Sequence, residues 1–256
     1  MNNGTRADLL DRLADEVGSV RIAHPIRVAV DGAPAVGKTT LADELAGVLR
    51  GRGRDVIRAS IEEFLLPRSV RYRRGEDSAQ GCYHDSFDFA ALHRVLLDPL
   101  GPGGDRNFQT EVYDRDADTP VSPPVTTAPA DAVLLFDGVF LLRQELIDRW
   151  DLSIFVSASF ETTLHRARRR DQTASKDAAE VERRYRSRYI PSQQFYFDTV
   201  RPADTADIVV DNDDPGRPAW EIRRSLAGDP WRPPANGVAP TASSGLRRSR
   251  CTGDRH

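Results

Sequence analysis

Apolar positions first fall at helical spacing over residues 5–18, where Leu9, Leu10, Leu13 and Val17 share one face. Thr5 stands ready to cap this helix and Gly18 to end it. Ile26, Val28 and Val30 make residues 26–30 a short β-branched strand. Helical spacing returns over 38–50 through Leu41, Leu45, Val48 and Leu49, and is broken by Gly51 and Gly53. Further strands are predicted at 55–60, 132–136, 152–156 and 207–210, and further helices over 88–97, 144–150, 160–171 and 177–189. The unbroken apolar run at 132–136 suits a strand covered on both faces. Strands that alternate with helices predict βαβ units and a mostly parallel sheet of about five strands.

Two stretches depart from this alternation. Residues 101–131 are rich in Pro, Gly, Thr and Asp and are long for a bare connection. They are expected to form an arm, with a strand at 108–113. From Pro215 onward the periodicity stops among Pro, Gly, Ser and Arg, so 215–256 is expected to be a mostly disordered tail. The domain layout is then a helix within 1–22 packed on the core, one α/β domain over 23–214, and the tail. A chain of 256 residues suits one such domain.

Composition narrows the classes. Thirty-nine acidic against 36 basic residues leave a net charge of −3, which argues against a dedicated nucleic-acid partner. No run nears the ~18 apolar residues of a membrane span, and residues 1–5 lack the start of a secretory signal. Cys82 and Cys251 fit no metal or redox spacing, so a reducing cytoplasm is the expected home. The five histidines form no ligand spacing either. A small-molecule partner and a homo-oligomer remain as expectations. Every basic residue but Lys38 and Lys176 is arginine; since the two side chains are not equivalent, Lys38 draws notice.

Lys38 lies in Gly32-Ala33-Pro34-Ala35-Val36-Gly37-Lys38-Thr39, a match to G-x-x-x-x-G-K-[ST] between a predicted strand and a predicted helix. The glycines let the loop curl until its amides cradle phosphate oxygens, and the helix start adds its positive end. The nucleotide-contact set is Gly32, Ala33, Ala35, Val36, Gly37, Lys38, Thr39 and Thr40. Lys38 supplies charge near the terminal phosphates and Thr39 a hydroxyl to Mg²⁺. The bland alternative is a glycine-rich turn that binds nothing. A second acid, Asp137, ends the apolar strand at 132–136, where phosphate-loop proteins keep a carboxylate near the metal; many strands also end in Asp merely to start a turn.

The loop, Glu62-Glu63-Phe64, residues 83–88, Val112-Tyr113-Asp114, residues 135–138, 166–171 and 183–191 follow one another in an order that resembles the uridine kinase and phosphoribulokinase group. The likeness covers roughly residues 25–212. It implies a P-loop three-layer sandwich with a helical lid over about 160–190, and transfer of the γ-phosphoryl of ATP to a hydroxyl with Mg²⁺. A nucleoside 5′-hydroxyl is the first acceptor it implies; another alcohol, such as a sugar phosphate or pantothenate, and a weakly catalytic nucleotide-binding regulator are the alternatives. In the group, an Asp after the second strand takes the acceptor proton and approaches the metal. Glu62 matches that position with one methylene more, about 1.5 Å of reach, while Asp137 stands where many uridine kinases have Glu. Thr39, Asp137 and Glu62 are thus the implied metal set, and Glu63 is the rival base. Arg166 and Arg170 match the lid pattern R-x-x-x-R-D, against the alternatives of a solvated arginine face or a nucleic-acid patch. Tyr83, Asp85 and Tyr113 are candidate acceptor contacts, with Phe87 either a platform or plain core. No histidine follows Tyr113 where uridine kinases carry one, and Arg184 stands in place of their glutamine.

Overall fold

The computed structural model describes residues 1–173 and 177–223, with the backbone alone described at 171–173. Asp171, Lys176 and the expected tail beyond Arg223 therefore lie outside the described side chains. The chain opens with β1 (Asn2–Asn3), α1 (Arg6–Ser19), β2 (Ile26–Gly32), α2 (Lys38–Gly51) and β3 (Val56–Ser60). Three short helices follow, α3 (Arg68–Arg71), α4 (Ala79–His84) and α5 (Phe89–Leu92), and then an arm with β4 (Asn107–Phe108), β5 (Tyr113–Asp114), β6 (Thr119–Pro120) and β7 (Thr126–Thr127). The second half holds β8 (Val133–Gly138), β9 (Leu152–Ser157), α6 (Phe160–Thr173), α7 (Ala178–Arg184), α8 (Ile190–Val200), α9 (Pro202–Thr205), β10 (Ile208–Asp211) and β11 (Ala219–Ile222).

The sheet order is β1-β11-β10-β9-β2-β8-β3, and the run from β10 to β3 is parallel throughout. The predicted parallel sheet is therefore present. Alternate side chains feed two cores. Val28, Val30, Leu135 and Ile154 pack with Leu9 and Leu13 of α1 and Leu41 and Leu45 of α2. Ala29, Leu134, Phe136 and Phe155 pack on the other face with Leu92 and Tyr196. The result is three layers, helix, sheet and helix. Register sets Val30 opposite both Asp137 and Ile154, so β2, β8 and β9 end together at one edge of the sheet. Among the described residues no helix is long and apolar enough to cross a membrane.

Four expectations need correction. The sheet continues past residue 214: β11 pairs antiparallel with β10 and β1, and Trp220 is buried in the core. Four residues set among Pro and Gly are too few to show a period, and their pairing is supplied by distant strands. The helix expected over 144–150 is only a 3₁₀ turn at Ile147–Arg149, fixed from outside by the buried Leu146 and by Trp150 Nε1 donating to the Leu141 carbonyl at 2.8 Å. The strand expected at 108–113 divides into β4 and β5, which pair with β7 and β6 in separate ladders. Helix α8 was not expected: the helix predicted over 177–189 continues beyond Pro191. α8 follows a π-turn over Tyr185–Tyr189, whose wider ring gives room where a proline removes one hydrogen bond.

Candidate active site

The loop between β2 and α2 is curled by residues of unusual backbone. Gly37 has φ 101° and caps α2 without a side-chain bond, which leaves the helix's first amides open to an anion. Ala35 is also left-handed, at φ 61°. Side chains from elsewhere hold the curl. Asn212 Nδ2 donates to the Val36 carbonyl at 2.7 Å, and Arg166 donates to the carbonyls of Val36 at 3.2 Å and Asn212 at 2.7 Å. Lys38 Nζ reaches back to the Ala33 carbonyl at 2.8 Å and is buried. Burial pushes its pKa down, while Asp31, Asp137 and Glu62 push it up.

Asp137, at the end of β8, receives Thr39 Oγ1 at 2.7 Å on one oxygen and Arg58 at 2.8 Å on the other. Glu62 lies on a 3₁₀ turn that Ser60 caps, and accepts from Arg115 of the arm at 3.0 Å. A hydroxyl and two carboxylates are hard oxygen donors. Among the described residues no group of three His, Cys, Asp or Glu could hold a metal alone. This set fits Mg²⁺, which is usually bound by one or two carboxylates and completed by phosphates and water.

These groups border one cavity of about 610 Å³. Ala35, Gly37, Lys38, Thr39 and Thr40 form one side, Ser60, Glu62 and Asp137 come from the strand ends, and Arg166 and Arg170 come from α6. Gly32, Ala33 and Val36 shape the loop without bordering the cavity. Glu63, the rival base, does not border it either; its carboxyl is pushed up by burial and by Glu111 and Glu62. Arg166 spends its hydrogen bonds on loop carbonyls, so in this structure it is a buttress of the loop.

The three expected acceptor contacts lie outside the cavity and are corrected. Tyr83 is packed edge-on against Phe140 and Phe195, with Arg143 over its ring at 4.4 Å. Asp85 accepts from Arg73 at 2.6 Å and Arg74 at 2.7 Å, whose hydrogen bonds hold its carboxyl below the usual range. Tyr113 is buried and donates to Asp118 at 2.7 Å. Cys82, next to Tyr83 on α4, borders the cavity instead, with Tyr72, Tyr185 and Tyr189, and Phe87, expected as a platform or as core, is buried and borders it too. Which of two adjacent residues on a short helix faces a cleft is set by how the helix docks, and composition carries no trace of that.

Asp31, Asn212, Arg115 and Gln193 were missed, and Arg188 was read only as one of several arginines of the lid helices. Only Asp31 left a signal, a carboxylate just before the loop glycine on an apolar strand. It is fully buried, accepts from Tyr196 OH at 2.5 Å and from the Leu141 amide at 3.2 Å, and has a pKa raised to about 6 by burial. An acid raised in the fold contributes stability that is full below its unfolded pKa and is lost as pH rises through about 6. Urea midpoints should therefore fall between pH 4 and 7, with a share on the order of 3 kcal/mol from this group. Asp31→Asn is expected to flatten that part of the profile; an unchanged slope would assign it to other groups.

A sequence profile described as the cytidylate kinase-like family matches residues 27–214. The chain belongs to that family. Uridine-cytidine kinase B from Dictyostelium discoideum is 30% identical over 149 residues, which cover 58% of this chain and 59% of that protein. The match thus spans less than two thirds of the relative's length. Among solved structures, one described as a possible uridine kinase from Bacillus stearothermophilus aligns at TM-score 0.62 and 22% identity, covering 79% of this chain and 97% of that one. D-glycerate 3-kinase from Cryptococcus neoformans var. grubii aligns at TM-score 0.51 and 14% identity, covering 79% and 94%. At these identities the two structures speak for the fold, and the phosphate-loop architecture of this family member agrees with them.

Proposed function

We propose that this chain transfers the γ-phosphoryl of ATP to a hydroxyl of a small molecule. The observation that carries the reading is the meeting, in one cavity, of the Lys38–Thr39 loop start, the Thr39–Asp137 pair and the carboxylate of Glu62. The loop amides and Lys38 hold the triphosphate. Mg²⁺, when bound through Thr39, Asp137 and Glu62 or their waters, offsets phosphate charge. Glu62 receives the acceptor's proton while the new O–P bond forms and the bond to the β-phosphate oxygen breaks, releasing ADP. Arg170, which borders the cavity from α6, is the lid cation that would face the transferring group. Positioning and charge supply most of the rate in such a reaction. The likeness to a uridine-cytidine kinase makes a nucleoside 5′-hydroxyl the first acceptor to try.

ADP release with MgATP and a panel of nucleosides and small alcohols tests this. Glu62→Gln is expected to lower acceptor-stimulated turnover by about 10²–10⁴-fold and to leave MgATP affinity within a few-fold. Glu62→Asp tests whether the long acid and the short Asp137 compensate each other; a large gain in turnover would show that they do not. Tight MgATP binding with no turnover on any hydroxyl compound would favour a nucleotide-binding regulator.

A further inference from the structure

Besides Lys38 and the α6 arginines, the cavity is bordered by Arg71, Arg115 and Arg188. Arg188 is 3% exposed and borders the cavity. Its guanidinium donates to the carbonyls of Glu76 at 3.1 Å, Ser78 at 3.0 Å and Arg71 at 3.4 Å, and lies 4.9 Å from the centre of the Tyr72 ring. Among the described residues no carboxylate forms an ion pair with it. These bonds fix Arg188 to the 68–84 segment that follows Glu62, with none to the phosphate loop. Arg71, 6% exposed, borders the same space. It meets Asp118 at 3.2 Å through one amino group, while its Nε is buried without a partner. Gln193, 1% exposed and also on the cavity wall, has an unpartnered Oε1. Arg115 is already matched by Glu62 at 3.0 Å.

A buried charge without a counter-charge is costly, and so is a buried polar atom without a hydrogen bond. Both costs fall on residues that border the cavity into which the carboxylate assigned to the acceptor's proton also opens. A neutral nucleoside would leave Arg188 uncompensated. An anion would remove the deficit, and a guanidinium fork is suited to carboxylate or phosphate oxygens.

Resting on the kinase reading, we propose that the acceptor bears, besides its hydroxyl, an anionic group, carboxylate or phosphate, seated against Arg188 and Arg71. Gln193 would meet a polar group of the same molecule.

Matched pairs that differ only in the anion test the proposal: D-glycerate against glycerol, and ribose 5-phosphate against ribose, with uridine as a further neutral probe. Binding is measured by calorimetry on the full chain, with and without a non-hydrolysable MgATP analogue, and turnover by ADP release. The charged member of at least one pair is expected to bind about tenfold or more tightly than its neutral partner; which pair responds separates carboxylate from phosphate. Arg71→Gln should cut that preference by about tenfold while MgATP affinity holds. Arg188→Lys keeps the charge but not the fork; it should weaken the preference when measured well below its own melting temperature, which the lost carbonyl bonds are expected to lower. Equal binding within the pairs, preference for the neutral members, no binding of either while MgATP binds, or a loss of MgATP affinity in Arg71→Gln at constant preference would each overturn it. Failure of the kinase reading looks different: the acid binds, yet no acceptor releases ADP.

Discussion

Lys38→Ala is expected to lower acceptor-stimulated ADP release by about 10²–10³-fold, the usual loss when one preorganised charge is removed from a transition state. Nζ lies 2.8 Å from the Ala33 carbonyl, among Asp31, Asp137 and Glu62. It is therefore already seated over the loop before any phosphate arrives, and little reorganisation accompanies its use. Stability should move the other way. Burial lowers the pKa of Lys38, so the protonated side chain weighs on the folded state at every pH below that value. The burden lifts as pH rises from the folded pKa towards the unfolded one. Melting temperature in Lys38→Ala should accordingly hold or rise at neutral pH. Rates from a coupled ADP assay and thermal melts of the same preparation check both halves. A variant that keeps its rate would remove Lys38 from the chemistry, and one that merely unfolds would make it a structural residue.

Gly32→Ala should cost about 2–5 kcal/mol of folding stability, combining a strained backbone with an overfilled site. The glycine ends β2 at φ 150°, and a Cβ there would fall 2.2 Å from the Val156 carbonyl oxygen of β9. That oxygen belongs to the sheet itself, so relief requires moving a central strand or uncurling the loop. Either would also weaken triphosphate binding. Gly47→Ala provides the contrast: this glycine lies on the exposed face of α2 with nothing within 4 Å of an added Cβ, and the change should stabilise by about 0.5–1 kcal/mol. Urea unfolding of the three proteins separates the outcomes. Equal midpoints for Gly32→Ala and the parent would mean that the loop is free to relax.

The two substitutions also mark what could be read along the chain. The alternation of apolar runs specified five parallel strands and the layers that cover them, since a strand or helix must bury its apolar positions and their spacing announces its type. The phosphate loop was legible for a related reason: its glycines, Lys38 and Thr39 act through residues adjacent in sequence. Asp137 was legible as the acid that ends a strand, because strand ends of a parallel sheet gather at one edge, and Glu62 only through the resemblance to the kinase group. α8 went unpredicted, its Pro191 being accommodated by the π-turn before it, and β11 was hidden by its shortness.

The sequence by itself determined the five parallel strands, the loop and the acid that ends β8, because each is encoded by neighbours a few residues apart. Tertiary structure alone decided which side chains close the cavity around them. Tyr83, Asp85 and Tyr113 were spent on packing, ion pairs and a hydrogen bond, while Arg71 was brought to the same cavity as the distant Arg188 and Gln193. Docking angle and helix phase choose among such residues, and both are set by the sum of many weak long-range contacts that no local pattern records.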